Sequence, residues 1–208
     1  GLDATAAALP GEYDDNFLVT ATDGQFVLKV MHPQRGRAFV DLQCRALEHL
    51  ALHAPDLAVP RVVHTSAGAS ITTMSDAGGA SRLVWCVRHL PGRLFAQSNP
   101  HTPELLRELG HFLGRMDAAL ADFSHPAADR ELKWDFGRAG WVREHLALLR
   151  EPARREMVQR ILDTHDAEVA PGLPGLRRSV VHGDANDHNV IVTAGRGRPP
   201  EIAGLIDF

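Results

Sequence analysis

The sequence predicts an α+β chain in two lobes: a small antiparallel sheet with one helix, then a mostly helical lobe carrying a late hairpin. Three observations predict it. Two short apolar runs, Asn16 to Ala21 and Gln25 to Val30, are joined by Thr22-Asp23-Gly24, and an Asp-Gly turn between such runs signals a hairpin. Pro91-Gly92 breaks the strand pattern, and apolar residues at helical spacing follow it. Strand-like apolar runs then return near the C-terminal end, on either side of a dense polar cluster.

The elements follow in order. After the hairpin, Phe39, Val40, Leu42, Ala46, Leu47 and Leu50 recur with helical period, predicting a helix over 37–52. Residues 61–64, 70–74 and 82–90 read as further strands, punctuated by Gly78-Gly79. Thr102 suits an N-cap and Pro103 the first helical position. Leu105, Leu106, Leu109, Phe112, Leu113, Met116 and Leu120 then line one helix face. Two more helices are expected over 138–149 and 152–169, and a loop over 171–175. Strands are expected at 179–182, 190–192 and 201–206, with Arg196 and Arg198 at a solvated hairpin tip. The lobes divide as 1–90 and 91–208, and clefts between lobes favour small-molecule sites.

Composition bounds the function. The chain has 208 residues, 44% of them hydrophobic, enough for a substantial core. With 22 basic against 26 acidic residues it has no basic excess to neutralise nucleic-acid phosphates. The two cysteines, Cys44 and Cys86, are not tightly spaced and are expected to be free thiols in a reducing compartment. No long apolar run or signal pattern appears, so a cytoplasmic protein with no membrane partner is expected. The start at Gly1 without methionine and the stop after Phe208 read as cut ends, leaving the helical lobe C-terminally truncated.

The chemistry concentrates in His182-Gly183-Asp184-Ala185-Asn186-Asp187-His188-Asn189, a loop between apolar runs. Polar groups so placed need partners, which points to water, metal or substrate nearby. A further acid, Asp207, ends another apolar strand. A carboxylate and an Asn–Asp pair suit a division of labour: Asp184 accepts a hydroxyl proton, while Asn189 and Asp207 hold magnesium on nucleotide phosphates.

His-Gly-Asp-x-x-x-x-Asn followed by Ile-Asp-Phe resembles the catalytic loop and metal motif of the aminoglycoside phosphotransferase and choline kinase-like superfamily, which is related to protein kinases. The resemblance spans nearly the whole chain. It implies a protein-kinase-like fold, a small-molecule hydroxyl as acceptor, and ATP or GTP with Mg2+ as co-substrate. Lys29, in Phe26-Val27-Leu28-Lys29-Val30, matches the lysine that steadies the phosphates. Residues 10–17 match the flap over them, though with one glycine and three acids. Val87-Arg88-His89-Leu90-Pro91-Gly92 resembles the hinge, whose backbone at Arg88 and Leu90 would bond the base.

One position departs from the pattern. Where the superfamily places a glutamate that pairs with the lysine, this chain has Gln43, with Asp41 and Glu48 as nearby acids. An amide can hydrogen-bond a lysine but cannot neutralise it. Residues 13–17, Gln43, Lys133-Trp134-Asp135-Phe136 and the wording of the catalytic loop lean toward the hydroxylysine kinase-like branch, with Trp134 expected to pack rather than touch substrate. Members of that branch also occur fused to class III aminotransferases, so a further catalytic domain is an implied partner. The acceptor would be an amino alcohol such as hydroxylysine, or an aminoglycoside. Two other readings stay open: a non-catalytic nucleotide-binding or regulatory domain, and a hydrolase metal centre built from His182, Asp184, Asp187 and His188. The latter leaves Lys29 and Asp207 without a role. His182 is otherwise a brace for the loop, and His89 and His125 are ordinary residues.

Overall fold

The computed structural model describes residues 4–193 and 199–208, so Arg196 and Arg198 lie outside the described residues. Two compact units form: residues up to Ala128 with Ser179–Phe208, and Asp129–Arg178.

The first unit opens with β1 (Ala4–Leu9), β2 (Asp15–Ala21) and β3 (Gly24–Val30), followed by α1 (Arg37–His53). Then come β4 (Val62–Val63), β5 (Ile71–Ser75) and β6 (Ser81–Arg88). These strands make one antiparallel sheet in the order β1-β2-β3-β6-β4, with β5 also on β6. The expected hairpin closes at Ala21↔Gly24. β1 is an addition to the expectation. Its alanine-rich run has weak strand preference, yet it pairs with β2 from Ala4↔Ala21 to Leu9↔Asn16.

The chain continues through β7 (Arg93–Leu94) and α2 (Pro103–Ala119), and re-enters this unit with β8 (Val190–Val192) and β9 (Ile202–Leu205). β7, β8 and β9 form a second antiparallel sheet in that order. The break at residues 88–92, where the sequence divides 1–90 from 91–208, therefore lies inside the first unit, because Arg93 and Leu94 pair with Val192 and Ile191. Thr102 caps α2 as expected, its hydroxyl accepting from the Leu105 N–H at 3.2 Å. Leu105 and Met116 are buried on α2, but Leu106 is half exposed, since it stands about 100° around the helix from Leu105. The strand expected at 179–182 does not form. The second sheet takes Val190–Val192 as its middle strand, and the preceding residues instead spend their polar groups on the loop they lead into.

α1 buries Val40, Cys44, Leu47 and Leu50 against Trp85 and Val87 of β6. Met116, Leu120, Val190, Val192 and Leu205 belong to the same cluster. At roughly 1.5–3 kcal/mol for each large apolar side chain removed from water, this core holds α1 and the β8–β9 hairpin together. Both cysteines are free. Burial pushes the Cys44 thiol up to about 12 and also raises Cys86, so neither forms an appreciable thiolate at neutral pH.

The second unit is held largely by its own surface. Phe136–Leu148 folds as 3-10 turns broken at Arg138, not as the expected α-helix; Gly137 and Gly140 weaken a helix there, and none of its side chains is buried. α3 (Pro152–Thr164) ends five residues before the expected Val169. It runs into a π turn over His165–Val169 and a 3-10 turn over Ala170–Gly175, because Pro171 and Pro174 lack the N–H that an α-helix needs. Arg143 bridges Asp163 and Asp166 at 2.9 and 2.6 Å. Trp134 was expected to pack, but it is 84% exposed. Among the described residues no helix is long and apolar enough to cross a membrane.

Candidate active site

Lys29, Gln43, Arg88, Leu90, Asp184, Asn189 and Asp207 lie within the first unit. β8 and β9 pair at Val190↔Leu205, and the Ile206 N–H donates to the Asn189 carbonyl at 2.8 Å. The ladder thus carries the end of the 182–189 loop and the segment 206–208 side by side. Gly183 turns the chain at φ +79°, and Asp207 adopts a left-handed φ of +67°. Asp tolerates that region better than most residues, and such outliers gather at functional sites.

His182 sits between the two segments. Its Nε2 lies 3.0 Å from the Ile206 carbonyl oxygen, and its Nδ1 accepts from the Asp184 N–H at 3.2 Å. The two bonds fit one neutral tautomer, with the proton on Nε2. The Phe208 ring stands edge-on to the imidazole at 4.7 Å. Burial holds the His182 pKa below its ordinary 6.5, against the opposing pull of the Ile206 carbonyl and of Asp184 and Asp207. The folded protein therefore resists a proton that the unfolded chain accepts. The stability this residue supplies is complete above pH 6.5 and is lost as the pH falls through the lower folded value. Unfolding free energies measured between pH 8 and pH 5 are expected to fall more steeply for the wild type than for His182→Gln; equal slopes would remove the assignment.

Asp184 is oriented by two amides. Asn186 Nδ2 donates to Oδ1 at 2.8 Å, and Asn189 Nδ2 donates to Oδ2 at 3.1 Å and to the Asp184 carbonyl at 2.9 Å. With its NH2 so used, Asn189 keeps its amide oxygen available as a ligand. Asn186, two residues beyond Asp184, was not singled out in the sequence, although its Asp-x-Asn spacing could have suggested an orienting amide.

Lys29 stands on β3 opposite Trp85 of β6. Its Nζ lies 5.3 Å from the Trp85 ring centroid and 2.6 Å from Asp207 Oδ1. The expected contact of Gln43 with this lysine is absent. Gln43 Nε2 donates instead to the Phe208 backbone carbonyl. The nearby acids are engaged elsewhere: Asp41 with His125 and Arg45, Glu48 with Ser70, His64 and Arg45. Among the described contacts, Asp207 is thus the carboxylate that neutralises Lys29.

Arg88 and Leu90 lie at the end of β6 and after it. The Arg88 N–H donates to the Arg61 carbonyl, and the His89 N–H to that of Gln25. The Arg88 guanidinium covers the Phe26 ring at 5.4 Å. No hydrogen bond among the described residues joins Arg88 or Leu90 to the Lys29–Asp207 pair.

The oxygen donors of Asn189 and Asp207 suit a hard dication such as magnesium. The hydrolase set does not assemble. Both His182 nitrogens are occupied, and His182, Asp184, Asp187 and His188 do not converge as a ligand group among the described residues. One other group does gather, His49, His53 and Asp122. Its two rings stack 3.9 Å apart with planes 20° apart. Imidazole lone pairs lie in the ring plane, so these nearly parallel rings cannot aim two nitrogens at one ion about 2.1 Å away. His49 Nε2 lies 2.9 Å from the Ala119 carbonyl and serves the end of α2.

The phosphotransferase enzyme family profile matches residues 5–208. Hydroxylysine kinase from Bos taurus is 27% identical over 219 residues, a match covering 96% of this chain and 58% of that protein. The chain therefore spans a little over half the length of the hydroxylysine kinases it matches. Among solved structures, the microcompartment-associated aminopropanol kinase superposes with a TM-score of 0.72 at 18% identity, covering 99% of this chain and 64% of that one. Amicoumacin kinase, in complex with AMP-PNP and Ca2+, superposes at 0.66 and 17% identity, covering 98% and 57%. These likenesses carry the α+β kinase-like fold.

Proposed function

The chain belongs to the phosphotransferase enzyme family, and we propose that it supplies the nucleotide-binding and catalytic part of a kinase that moves the γ-phosphoryl group of ATP or GTP to the hydroxyl of a small amino alcohol of the hydroxylysine type. The observation that carries this reading is the juxtaposition of an oriented carboxylate, Asp184, with a hairpin presenting Asn189 and Asp207 beside Lys29.

Asp184 takes the proton from the acceptor hydroxyl as that oxygen bonds to the γ-phosphorus. The bond from phosphorus to the bridging oxygen breaks, and the nucleoside diphosphate leaves with the electron pair. Asn186 and Asn189 hold the Asp184 carboxylate in one orientation, so little reorganisation remains for the reaction step. Lys29 places its positive charge on the nucleotide phosphates, and the backbone at Arg88 and Leu90 serves the base. Magnesium held by Asn189 and Asp207 would neutralise charge on the transferred group. Relatives named hydroxylysine kinase favour an amino alcohol over an aminoglycoside as acceptor.

The test is a thermal-shift titration of the full-length protein with magnesium and ATP or GTP, followed by a screen for nucleoside diphosphate release over amino alcohols and aminoglycosides. The expected result is stabilisation by the magnesium–nucleotide pair and release that depends on an amino alcohol. Stabilisation with no release for any acceptor would establish a non-catalytic nucleotide-binding domain instead.

A further inference from the structure

In this chain α1 reaches the site by a different route from a lysine–carboxylate pair. Its acids Asp41 and Glu48 are bound to His125, Arg45, Ser70 and His64. Lys29 is neutralised from the other side, by Asp207. What α1 contributes is the Gln43 amide, whose N–H donates to the Phe208 carbonyl. Other groups of this segment are held as well. The Ile206 N–H donates to the Asn189 carbonyl and the Ile206 carbonyl faces His182 Nε2, while Lys29 takes the Asp207 carboxylate. Gln43 is thus the tether of residues 206–208 that comes from α1.

We infer that Gln43 is a positioning residue for Asp207: by holding the Phe208 carbonyl it sets where the Asp207 carboxylate stands, and through it both the Lys29 pair and the metal ligand. This inference rests on the phosphotransferase reading only for its metal consequence. The chemistry explains why an amide occupies the position. A carboxylate at 43 has no N–H to give the Phe208 carbonyl and would set negative charge against that oxygen. The Gln43 side-chain oxygen is buried and takes no hydrogen bond in the structure, so the donating half of the amide is the half in use.

The experiment uses Gln43→Met, which keeps the length and removes the donor, and Gln43→Glu, which keeps the shape and removes the donor. Without nucleotide, labelling of Lys29 by an amine-reactive reagent, quantified by peptide mass, is expected to be about tenfold faster in Gln43→Met, the equivalent of one lost hydrogen bond. With nucleotide, half-saturation by magnesium is expected to rise about tenfold in both variants, at melting temperatures close to that of the wild type. Wild-type labelling in Gln43→Met would overturn the inference. So would Gln43→Glu binding magnesium–nucleotide as well as the wild type, because α1 would then act through Lys29. If the wild type takes up no nucleotide, the proposed function falls, and the labelling rate still decides the role of Gln43.

Discussion

Exchange of Asp184 for asparagine or alanine is expected to lower kcat about 10²–10⁴-fold, the usual contribution of a positioned general base, while nucleotide affinity stays at the wild-type level. The expectation follows from how differently the two site carboxylates are engaged. Asp207 is paired with a lysine at 2.6 Å, whereas among the described residues the Asp184 carboxylate accepts neutral amide hydrogen bonds, from Asn186 and Asn189. A carboxylate that is oriented but not neutralised retains lone pairs for a proton. Asparagine keeps the shape and cannot take that proton; alanine removes the group and frees two amides on an exposed loop, where water satisfies them cheaply. Steady-state kinetics with the acceptor and calorimetric nucleotide binding on the full-length variants check both halves. Wild-type turnover in either variant would remove Asp184 from its role. Loss of nucleotide binding along with turnover would make it a ligand-binding residue instead.

The second large effect concerns stability. Gly204→Ala is expected to remove several kcal/mol of unfolding free energy. Gly204 lies in β9 at φ +151°, and an added Cβ would stand 2.5 Å from the Ala58 carbonyl oxygen and 2.8 Å from Leu90 Cδ1. Overpacking against backbone and an unfavourable φ each cost about 1–3 kcal/mol, from the roughly 5–15 kcal/mol that hold a typical domain. The displaced groups matter for the site, because the Leu205 N–H donates to that same Ala58 carbonyl, two residues before Asp207. Gly92, at φ +150°, makes a similar approach to Ile191 and the Val192 carbonyl of β8. Gly110 is the control: exposed in α2 with nothing within 4 Å of an added Cβ, its alanine variant is expected to gain about 0.5–1 kcal/mol. Chemical denaturation of the two variants against the wild type reads the contrast directly, and a Gly204→Ala protein as stable as Gly110→Ala would refute it.

Legibility followed the range of the interactions. The β2–β3 hairpin could be read from Asp23-Gly24, and the start of α2 from Thr102 and Pro103, because turn dihedrals and capping bonds are settled within a few residues. Weak local preference hid β1, whose alanines are held only by pairing with β2. The run 179–182 misled for the converse reason: its valines favour a strand, but the chain spends the following polar groups on the Asp184 loop. In the second unit, proline and glycine outweighed helical spacing: the helix expected over 138–149 became 3-10 turns, and the one expected over 152–169 stopped at Thr164.

What the sequence determined by itself is the order Lys29, Asp184, Asn189 and Asp207 on strands and loops of recognisable type, since spacing and backbone preference are properties of neighbouring residues. What only the tertiary structure decided is partnership. Lys29 meets Asp207 across 178 residues and rests near Trp85 through the β3–β6 register. Gln43, expected to serve the lysine, instead holds a carbonyl 165 residues away. The difference is physical. A side chain's type states which bonds it can make, but which partner lies within 3 Å depends on how the buried core seats α1 against the sheet and on the register of two separate ladders.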